Sequence, residues 1–347
     1  MDYYAGIDVS LEQSSVCVVG GSGKIVGEGQ VASEPEALLG YFGSLGFALE
    51  RIGLEAGPLS QWLYAAMRKA GLPVELLETR HVKAALSAMP VKTDRNDARG
   101  IAQLMRLGWF RPVHCKSAEA QEMRALLSAR KLVQSKLYDV EMSLRGILRG
   151  FGLKVGPTTP KRFAGRIGEL TAGQATLEAV AAALLAVHTV LLRELNGFEK
   201  QLREIARSDK RVRLLMSTPG VGAIVALTYV SAIDDPGRFK SSKTVGAHFG
   251  LTPSKYQSGE TDVSGRITKI GDGAVRTMLY EAANVILTRP IKTGGLKSWA
   301  MKLAKRAGMK KAKVALARKL AVVLHRMLAD MTEFVAEKAS GCVRAAA

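Results

Sequence analysis

The chain has 347 residues, and its 50 lysines and arginines outweigh 31 aspartates and glutamates, which gives a net charge of +19. This length allows two or three domains, and a hydrophobic content of 47% excludes a largely disordered chain. So large an excess of positive charge favours a polyanionic partner. Nucleic acid is the first candidate and an anionic membrane the second.

Export and membrane insertion are not expected. No stretch approaches the ~18–20 uninterrupted apolar residues that cross a bilayer, and the first residues lack the basic and apolar regions of a secretion signal. Cys17, Cys115 and Cys342 are scattered and have no histidine at ligand spacing. They favour a reducing cytoplasm and argue against a zinc site or a disulfide framework.

Residues 1–112 predict an α/β domain. Short β-prone runs between polar or glycine-rich turns predict strands at Tyr3–Ile7, Ser15–Val19, Lys24–Gln30, Arg51–Leu54 and Pro73–Leu77. Helical periodicity predicts helices at Glu36–Leu45, Leu59–Ala70 and Asp94–Leu107.

Residues 113–210 predict a long helical hairpin or coiled coil. Apolar residues recur every three or four positions from Leu126 to Ile147, and again from Leu184 to Ile205. The stretch Gly150–Gly168, rich in Gly, Pro and Thr, is predicted to be the connecting loop. The apolar seam fits packing within one chain at least as well as contact between subunits.

Residues 211–347 predict a mainly helical domain. Gly220 and Gly222 separate two apolar helical runs, a pattern that resembles a helix-hairpin-helix motif holding a nucleic-acid backbone. An ordinary turn between helices fits equally well. The polar segment Thr252–Gly265 is predicted to be a flexible loop, and Lys310–Leu328 a basic amphipathic helix.

Four acidic residues are placed as a metal site requires. Asp8 and Glu55 each close a predicted strand, whereas Asp94 and Asp97 open a predicted helix at i, i+3 spacing and share one face. If the helix packs across the ends of neighbouring strands, the four carboxylates converge, and such close like charges need cations between them. Oxygen ligands in this number suit Mg²⁺ or Mn²⁺ and phosphodiester chemistry. Each residue alone has an ordinary structural role at a strand end or helix start.

In the order Gly-Ile-Asp, Leu-Glu-Ala-Gly and Lys-Thr-Asp-x-x-Asp-Ala, these residues resemble the DEDD signature of the insertion sequence 110 family of transposases. The resemblance covers nearly the whole chain. It implies an α/β RNase H-like domain similar to the RuvC Holliday-junction resolvase, then the helical hairpin, then a C-terminal transposase domain. Many members carry Glu-x-Thr-Gly where this chain has Glu-Ala-Gly-Pro at 55–58; Glu50 is the alternative glutamate but sits less well at a strand end.

Chemistry alone leaves the nucleophile open among Ser254, Tyr256, Ser258 and Ser264, each a hydroxyl in the same polar, basic segment. The resemblance implies that Ser258 is the catalytic serine, beside Gly259. Cations near this segment and in the closing helix, with the two hairpin glycines, are candidate contacts to nucleic acid: Gly220, Gly222, Arg266, Lys269, Arg276, Lys310, Lys311 and Lys313.

The resemblance further implies a cytoplasmic, nucleoid-associated bacterial enzyme that joins donor and target DNA through a serine–phosphate ester. It implies guidance by a non-coding bridge RNA and assembly as a homo-oligomer, a dimer or tetramer, with active sites composed of domains from different protomers. Two alternatives stay open. One is a RuvC-like structure-selective nuclease that uses metal-bound water; the other is a nucleic-acid-binding protein whose carboxylates are structural.

Overall fold

A computed structural model describes residues 1–291, 293 and 295–336 of the protein, and its contacts form two compact units, Met1–Lys116 and Ser117–Ala347. The first unit ends close to the predicted boundary at residue 112. The helical hairpin and the C-terminal segment, predicted as separate domains, share the second unit. Cys342 and the last residues of the predicted third domain lie outside the described residues.

The first unit contains a five-stranded sheet in the order β3-β2-β1-β4-β5. The strands are β1 (Tyr3–Asp8), β2 (Gln13–Gly20), β3 (Ile25–Ala32), β4 (Arg51–Glu55) and β5 (Val74–Leu77). The first three strands pair antiparallel, and β4 and β5 continue the sheet parallel to β1. The five strands predicted from the sequence are therefore confirmed, and the unit is an α/β domain, as expected.

Helices cover both faces of this sheet: α1 (Pro35–Gly43), α2 (Ser60–Lys69), α3 (Thr79–Leu86) and α4 (Asp94–Leu107). Side chains of a strand alternate between the two faces. On β1, Ala5 and Ile7 therefore join the core under α1 and α2, whereas Tyr4 joins the core under α3 and α4. The sequence predicted α1, α2 and α4 but not α3.

The second unit is mainly helical. Its helices are α5 (Ala118–Gly150), α6 (Pro160–Thr171), α7 (Ala175–Ser208), α8 (Lys210–Met216), α9 (Ala223–Ile233), α10 (Val245–His248), α11 (Gly273–Thr288), α12 (Gly295–Ala307) and α13 (Met309–Asp330). A two-stranded hairpin of β6 (Pro253–Ser258) and β7 (Thr261–Ile267) stands among them. A core built around α9, α11 and α13 contains the buried Tyr229, Leu279 and Leu320.

The helical hairpin is confirmed, and α5 packs against α7. Two local predictions are wrong. The supposed connecting loop Gly150–Gly168 contains most of α6, because Pro160 starts a helix that buries Phe163 and Ile167 one turn apart. The supposed loop Thr252–Gly265 is the β6–β7 hairpin, whose polar, solvent-exposed strands lack the apolar alternation that signals a strand.

Helix α7 comes closer to a membrane span than the sequence analysis expected. Of the helices in the part of the chain that the structure describes, it alone is long and apolar enough to cross a bilayer by length and composition. One such helix is weak evidence, since helices of soluble proteins pass the same test. The buried residues of α7 include Ala181, His188, Leu195 and Leu202, seven apart, which is the seam it presents to the rest of the unit.

Candidate active site

Two acidic side chains stand at one edge of the sheet. Asp8 is the last residue of β1 and Glu55 the last residue of β4. These strands are parallel and adjacent, and their register pairs Ile7 with Leu54, so the next residue on each is the acidic one. Glu50 precedes β4 at the opposite end of the strand. The strand geometry therefore favours Glu55 over Glu50 as the glutamate of the set.

Two glycines let α4 lie directly on these strands. Gly6 and Gly53 are register partners on β1 and β4, each two residues before its acidic residue. A Cβ atom added to Gly6 would lie 2.2 Å from the carbonyl oxygen of Ala98 and 2.3 Å from the amide nitrogen of Ala102. One added to Gly53 would lie 2.8 Å from Cγ of Met105. Only glycine permits this approach of helix to sheet.

The helix seated in this way begins with the other two carboxylates. Thr93 caps α4 by accepting a hydrogen bond from the backbone N–H of Asn96 at 3.2 Å, so Asp94 is the first helical residue. Asp94 and Asp97 both lie in the first turn, where the helix dipole favours negative charge. Asp94 is exposed, and Asp97 is half-buried towards the sheet.

The electrostatics show that the four carboxylates are brought together. Burial, followed by the negative charges of Asp94, Asp97 and Glu55 in that order of effect, raises the pKa of Asp8 from 3.8 to about 6, against the opposing effect of Lys92. Burial also raises the pKa of Glu55, with Asp97 adding to it, whereas a hydrogen bond from Thr79 and the charge of Lys92 oppose the rise. Asp8 is thus the centre of the set.

The donor set fits a hard divalent cation in its chemistry, since the other three carboxylates add negative charge around Asp8 and a cation would relieve that repulsion. Their spacing is wider than a closed coordination shell. No group of three or more His, Cys, Asp or Glu side chains within ligand reach of one ion occurs among the described residues. Ion binding would therefore need side-chain movements that draw the carboxylates inward.

An ion-pair cluster outside the predicted set anchors the start of α4 to the sheet. Glu28 on β3 receives hydrogen bonds from the guanidinium groups of Arg95 and Arg99. These bonds, that of Arg99 first, lower the pKa of Glu28 from 4.5 to about 2. This cluster and Lys92 were not predicted from the sequence. The repeated Gly-apolar-acid pattern of Gly6 to Asp8 and Gly53 to Glu55 was the available signal that both strands carry a helix at close range.

Ser258, in the second unit, ends β6 beside the turn of the hairpin. It pairs with Thr261 across Gly259 and Glu260, and Gly259 takes the positive φ of 55° that a two-residue hairpin turn uses. Ser258 is exposed, and its hydroxyl makes no hydrogen bond within the part of the chain that the structure describes. By contrast, the hydroxyl of Ser254 donates to the carbonyl oxygen of Arg266 at 3.2 Å.

The other candidate hydroxyls stand on the same hairpin. Tyr256 is 65% exposed, and Ser264 lies opposite Lys255 in the middle of β7. An ion pair of 3.2 Å between Lys255 and Asp262 links the two strands. Geometry leaves Tyr256, Ser258 and Ser264 all accessible, and Ser258 is the one placed at the turn.

Arg276 holds the base of this hairpin. Its Nη1 atom lies 3.1, 2.9 and 3.0 Å from the carbonyl oxygens of Phe249, Ile270 and Gly271, all within hydrogen-bond reach. These bonds give Arg276 a positioning role, and its predicted contact with nucleic acid stays a prediction. Arg266 and Lys269 of the same group are exposed to solvent.

The remaining predicted contacts lie on α13 or in the turn between α8 and α9 of the second unit. Gly220 has a positive φ of 82°, and a Cβ there would lie 2.9 Å from the carbonyl oxygen of Ala282, so this glycine serves packing against α11. Gly222 is exposed and caps the start of α9. Lys310 and Lys311 are exposed in the first turn of α13, and Lys313 lies over the ring of Tyr280 at 5.8 Å.

Two family models match the chain. One, described as "Transposase IS116/IS110/IS902 family", matches residues 212–294. The other, a transposase model for the DEDD domain of the IS110 group, matches residues 5–152 and thus contains the four carboxylates. The first match contains the β6–β7 hairpin with Ser258.

Curated relatives agree with these matches. The transposase for insertion sequence element IS1111A of Coxiella burnetii is 29% identical over 88% of this chain and 84% of its own. A probable family 20 transposase of Pseudomonas aeruginosa is 27% identical over 74% of this chain and 77% of its own. The Thermus thermophilus RuvC structure is 18% identical, covers 32% of this chain and 99% of its own, and gives a TM-score of 0.26. The chain belongs to the IS110 family of insertion-sequence transposases, enzymes that cleave and rejoin DNA.

Proposed function

We propose that this transposase exchanges DNA strands through a covalent serine–phosphate ester formed by Ser258. The observation that carries the proposal is the convergence of Asp94, Asp97 and Glu55 on Asp8, in a chain whose free-standing hairpin presents an unbonded serine hydroxyl. Both features lie in segments that match transposase family models. Together they supply a place for phosphate charge and a nucleophile.

In the proposed reaction the Oγ atom of Ser258 forms a bond to a DNA phosphorus, and the bond from that phosphorus to the leaving deoxyribose oxygen breaks. The serine hydroxyl loses a proton and the leaving oxygen takes one up. Attack by a hydroxyl of another DNA strand then forms the new phosphodiester and frees the serine. One phosphate ester replaces another at each step, so no nucleotide cofactor is needed.

Asp8, Glu55, Asp94 and Asp97 are the residues proposed to hold Mg²⁺ or Mn²⁺. The ion would stabilise the negative charge that builds on the phosphate oxygens. The residues themselves must be ionised to bind it, and Asp8, with its pKa raised to about 6, limits binding at low pH. Arg266 and Lys269 are proposed as the exposed cations that hold the DNA phosphate near the hairpin.

Ser258→Ala tests the serine, with Ser264→Ala as the matched control on the same hairpin. The full-length protein is incubated with end-labelled DNA carrying the flanks of its own element, and protein–DNA adducts are measured on denaturing gels. We expect Ser258→Ala to lose adducts while keeping DNA binding, and Ser264→Ala to keep both. Adducts that persist in Ser258→Ala would move the nucleophile to Tyr256 or Ser264.

A second candidate function is a RuvC-like nuclease that hydrolyses DNA with metal-bound water. The clustering of the four carboxylates favours it, because these residues are gathered in the fold whereas Ser258 stands on an exposed hairpin. Hydrolysed ends without any adduct in the parent protein, with hydrolysis lost in Asp8→Asn, would favour this candidate.

Guidance by a structured non-coding bridge RNA and action in the cytoplasm at the nucleoid are part of the same proposal. The net charge of +19 supports a chain that grips more than one nucleic acid. RNA recovered from the purified protein, and DNA adducts that depend on adding it back, would support an RNA guide. Full activity after nuclease treatment that removes all RNA would argue against one.

Homo-oligomer formation, as a dimer or tetramer, is proposed from α7. Val187 and Val190 are each 48% exposed on a helix whose other face already packs against α5. A second copy of the chain is the proposed cover for this apolar side. Light scattering on the parent protein and on Val187→Glu/Val190→Glu should show an oligomer that the double variant loses; a monomeric parent would contradict the proposal.

A further inference from the structure

The turn of the helical hairpin, between the end of α5 and α6, carries a concentrated positive charge that the proposed function does not use. From residue 142 to residue 168 the chain has six lysines and arginines and no aspartate or glutamate: Arg145, Arg149, Lys154, Lys161, Arg162 and Arg166. We call this segment the basic tip. Arg166 pairs with Glu169 at 2.9 Å just beyond the segment, and the other like charges repel one another unless an anion is present.

The basic tip is a built structure. Leu148, Val155, Phe163 and Ile167 form a small buried cluster of their own beneath it. Gly152 and Gly156 have positive φ values of 76° and 70°, which let the chain turn sharply after α5. The lysines and arginines of the basic tip are therefore carried by a turn that is held in place by this buried cluster.

A cavity of about 250 Å³ opens in this turn, and three cations line it. Its lining is Arg145, Arg149, Leu153, Lys154, Val155 and Gly156. Arg145 is oriented by a hydrogen bond of 2.7 Å to the carbonyl oxygen of Gly156 and by the ring of Phe163 at 5.3 Å. Arg149 and Lys154 are exposed and form no ion pair with any carboxylate of the described residues.

We propose that the basic tip is a DNA-binding site, in which Arg149 and Lys154 hold a backbone phosphate at the cavity that Arg145 lines. Convergent cations without a carboxylate partner recognise a phosphate, and Arg presents a planar fork of donors to it. The aromatic ring of Phe151, 62% exposed on the same turn, adds a surface for stacking or sugar contact. The choice of DNA rests on the transposase function of the family.

The experiment compares Arg149→Glu/Lys154→Glu with Lys131→Glu/Lys200→Glu in the full-length protein. Lys131 and Lys200 are exposed on α5 and α7, outside the basic tip, and form no ion pair with described residues. Both double variants change the net charge equally, so the comparison separates a site from general attraction. Affinity for duplex DNA is measured over a series of salt concentrations, with thermal unfolding of each variant as a check on folding.

We expect the tip variant to bind DNA at least roughly tenfold more weakly at low salt, with the slope of log affinity against log salt reduced by about 2. In the control variant, both the DNA affinity and the salt slope should change much less than in the tip variant. Equal losses in the two variants would overturn the site. A loss seen with duplex RNA and not with DNA would overturn the choice of DNA.

The outcome is independent of the serine mechanism. If the tip variant binds normally while the parent forms serine adducts, the basic tip fails and the proposed function stands. If the parent protein forms no adduct, and the tip variant but not the control variant loses DNA affinity, the serine mechanism fails and the basic tip stands. Arg149→Gln/Lys154→Gln provides a second pair without charge reversal, and it should reproduce the loss in weaker form.

Discussion

Gly6 and Gly53 lie side by side on parallel strands, and α4 packs on both of them. Each glycine precedes an acidic residue by two positions, Asp8 on one strand and Glu55 on the other. Because the helix sits so close to the sheet, its first turn reaches the strand ends and brings Asp94 and Asp97 to the same place. Because Gly6 and Gly53 have no side chain to hold the helix away, the four carboxylates can lie at the same edge of the sheet.

Gly6→Ala tests this relationship. The new Cβ would collide with the backbone of α4, which cannot swing aside as a flexible side chain does, so we expect a loss of stability of about 3 kcal/mol or displacement of the helix. Chemical denaturation measures the change. Gly40→Ala is the control within the same unit, since no atom lies within 4 Å of the added Cβ and the residue is helical. Gly40→Ala should be neutral or stabilise the protein by about 0.5–1 kcal/mol. An equal change in the free energy of unfolding of the two variants would contradict the close packing of α4 on Gly6.

Asp8→Asn should separate stability from ion binding. The pKa of Asp8 is raised from 3.8 to about 6. Between these values the unfolded chain is ionised while the folded chain keeps its proton, so stability falls as pH rises through this window and stays lower above it. The neutral amide avoids that cost, and we expect a higher melting temperature than the parent at pH 8 without divalent ions.

The same variant should lose the response to Mg²⁺. Mg²⁺ should raise the melting temperature of the parent at pH 8, and less so at pH 5, where Asp8 is largely protonated. Asp8→Asn should respond weakly at both. Glu50→Gln, at the opposite end of β4, is the control and should respond as the parent does. An equal Mg²⁺ response in Asp8→Asn and the parent would argue against a metal at the carboxylates.

Glu28→Gln should loosen the start of α4. The lowered pKa of Glu28, about 2, means that its ionised form stabilises the fold above its usual pKa of 4.5 and that this stability is lost as pH falls towards 2. The glutamine variant should therefore be less stable than the parent at pH 7, with a difference that shrinks with acidification. Hydrogen exchange at the first turn of α4 should speed up. A pH-independent difference would show that packing, and not charge, is what Glu28 contributes.

Arg276→Gln should reduce protein stability, whereas Arg266→Gln should reduce DNA binding. Arg276 bonds carbonyl oxygens at the base of the β6–β7 hairpin, so its loss should destabilise the protein by roughly 2 kcal/mol and speed hydrogen exchange in the hairpin. Arg266 is exposed on β7, so its loss should weaken DNA binding with little change in stability. Melting curves and DNA affinities of both variants give the answer. Weakened DNA binding without destabilisation in Arg276→Gln would return that residue to the nucleic-acid contacts.

The sequence alone predicted the regular elements whose local pattern is strong. Hydrophobic periodicity predicts the five strands, the two long helices α5 and α7, and helix α4 with its first residue Asp94. The sequence also marked Asp8 and Glu55 as strand-end residues. Helix α6 and the β6–β7 hairpin were missed, because their residues are polar or rich in turn formers and their structure depends on neighbours.

Which of these residues come together depends on contacts between segments far apart in the chain. The order of strands in the sheet places β4 beside β1, and the close seat of α4 on Gly6 and Gly53 adds the remaining two carboxylates. The tertiary structure also places Arg276 against backbone carbonyl oxygens, which the sequence did not indicate, while its contact with nucleic acid stays a prediction. Sequence patterns fix local conformation through short-range sterics and burial, whereas shared electrostatics and hydrogen bonding depend on distances between segments far apart in the chain, which packing alone sets.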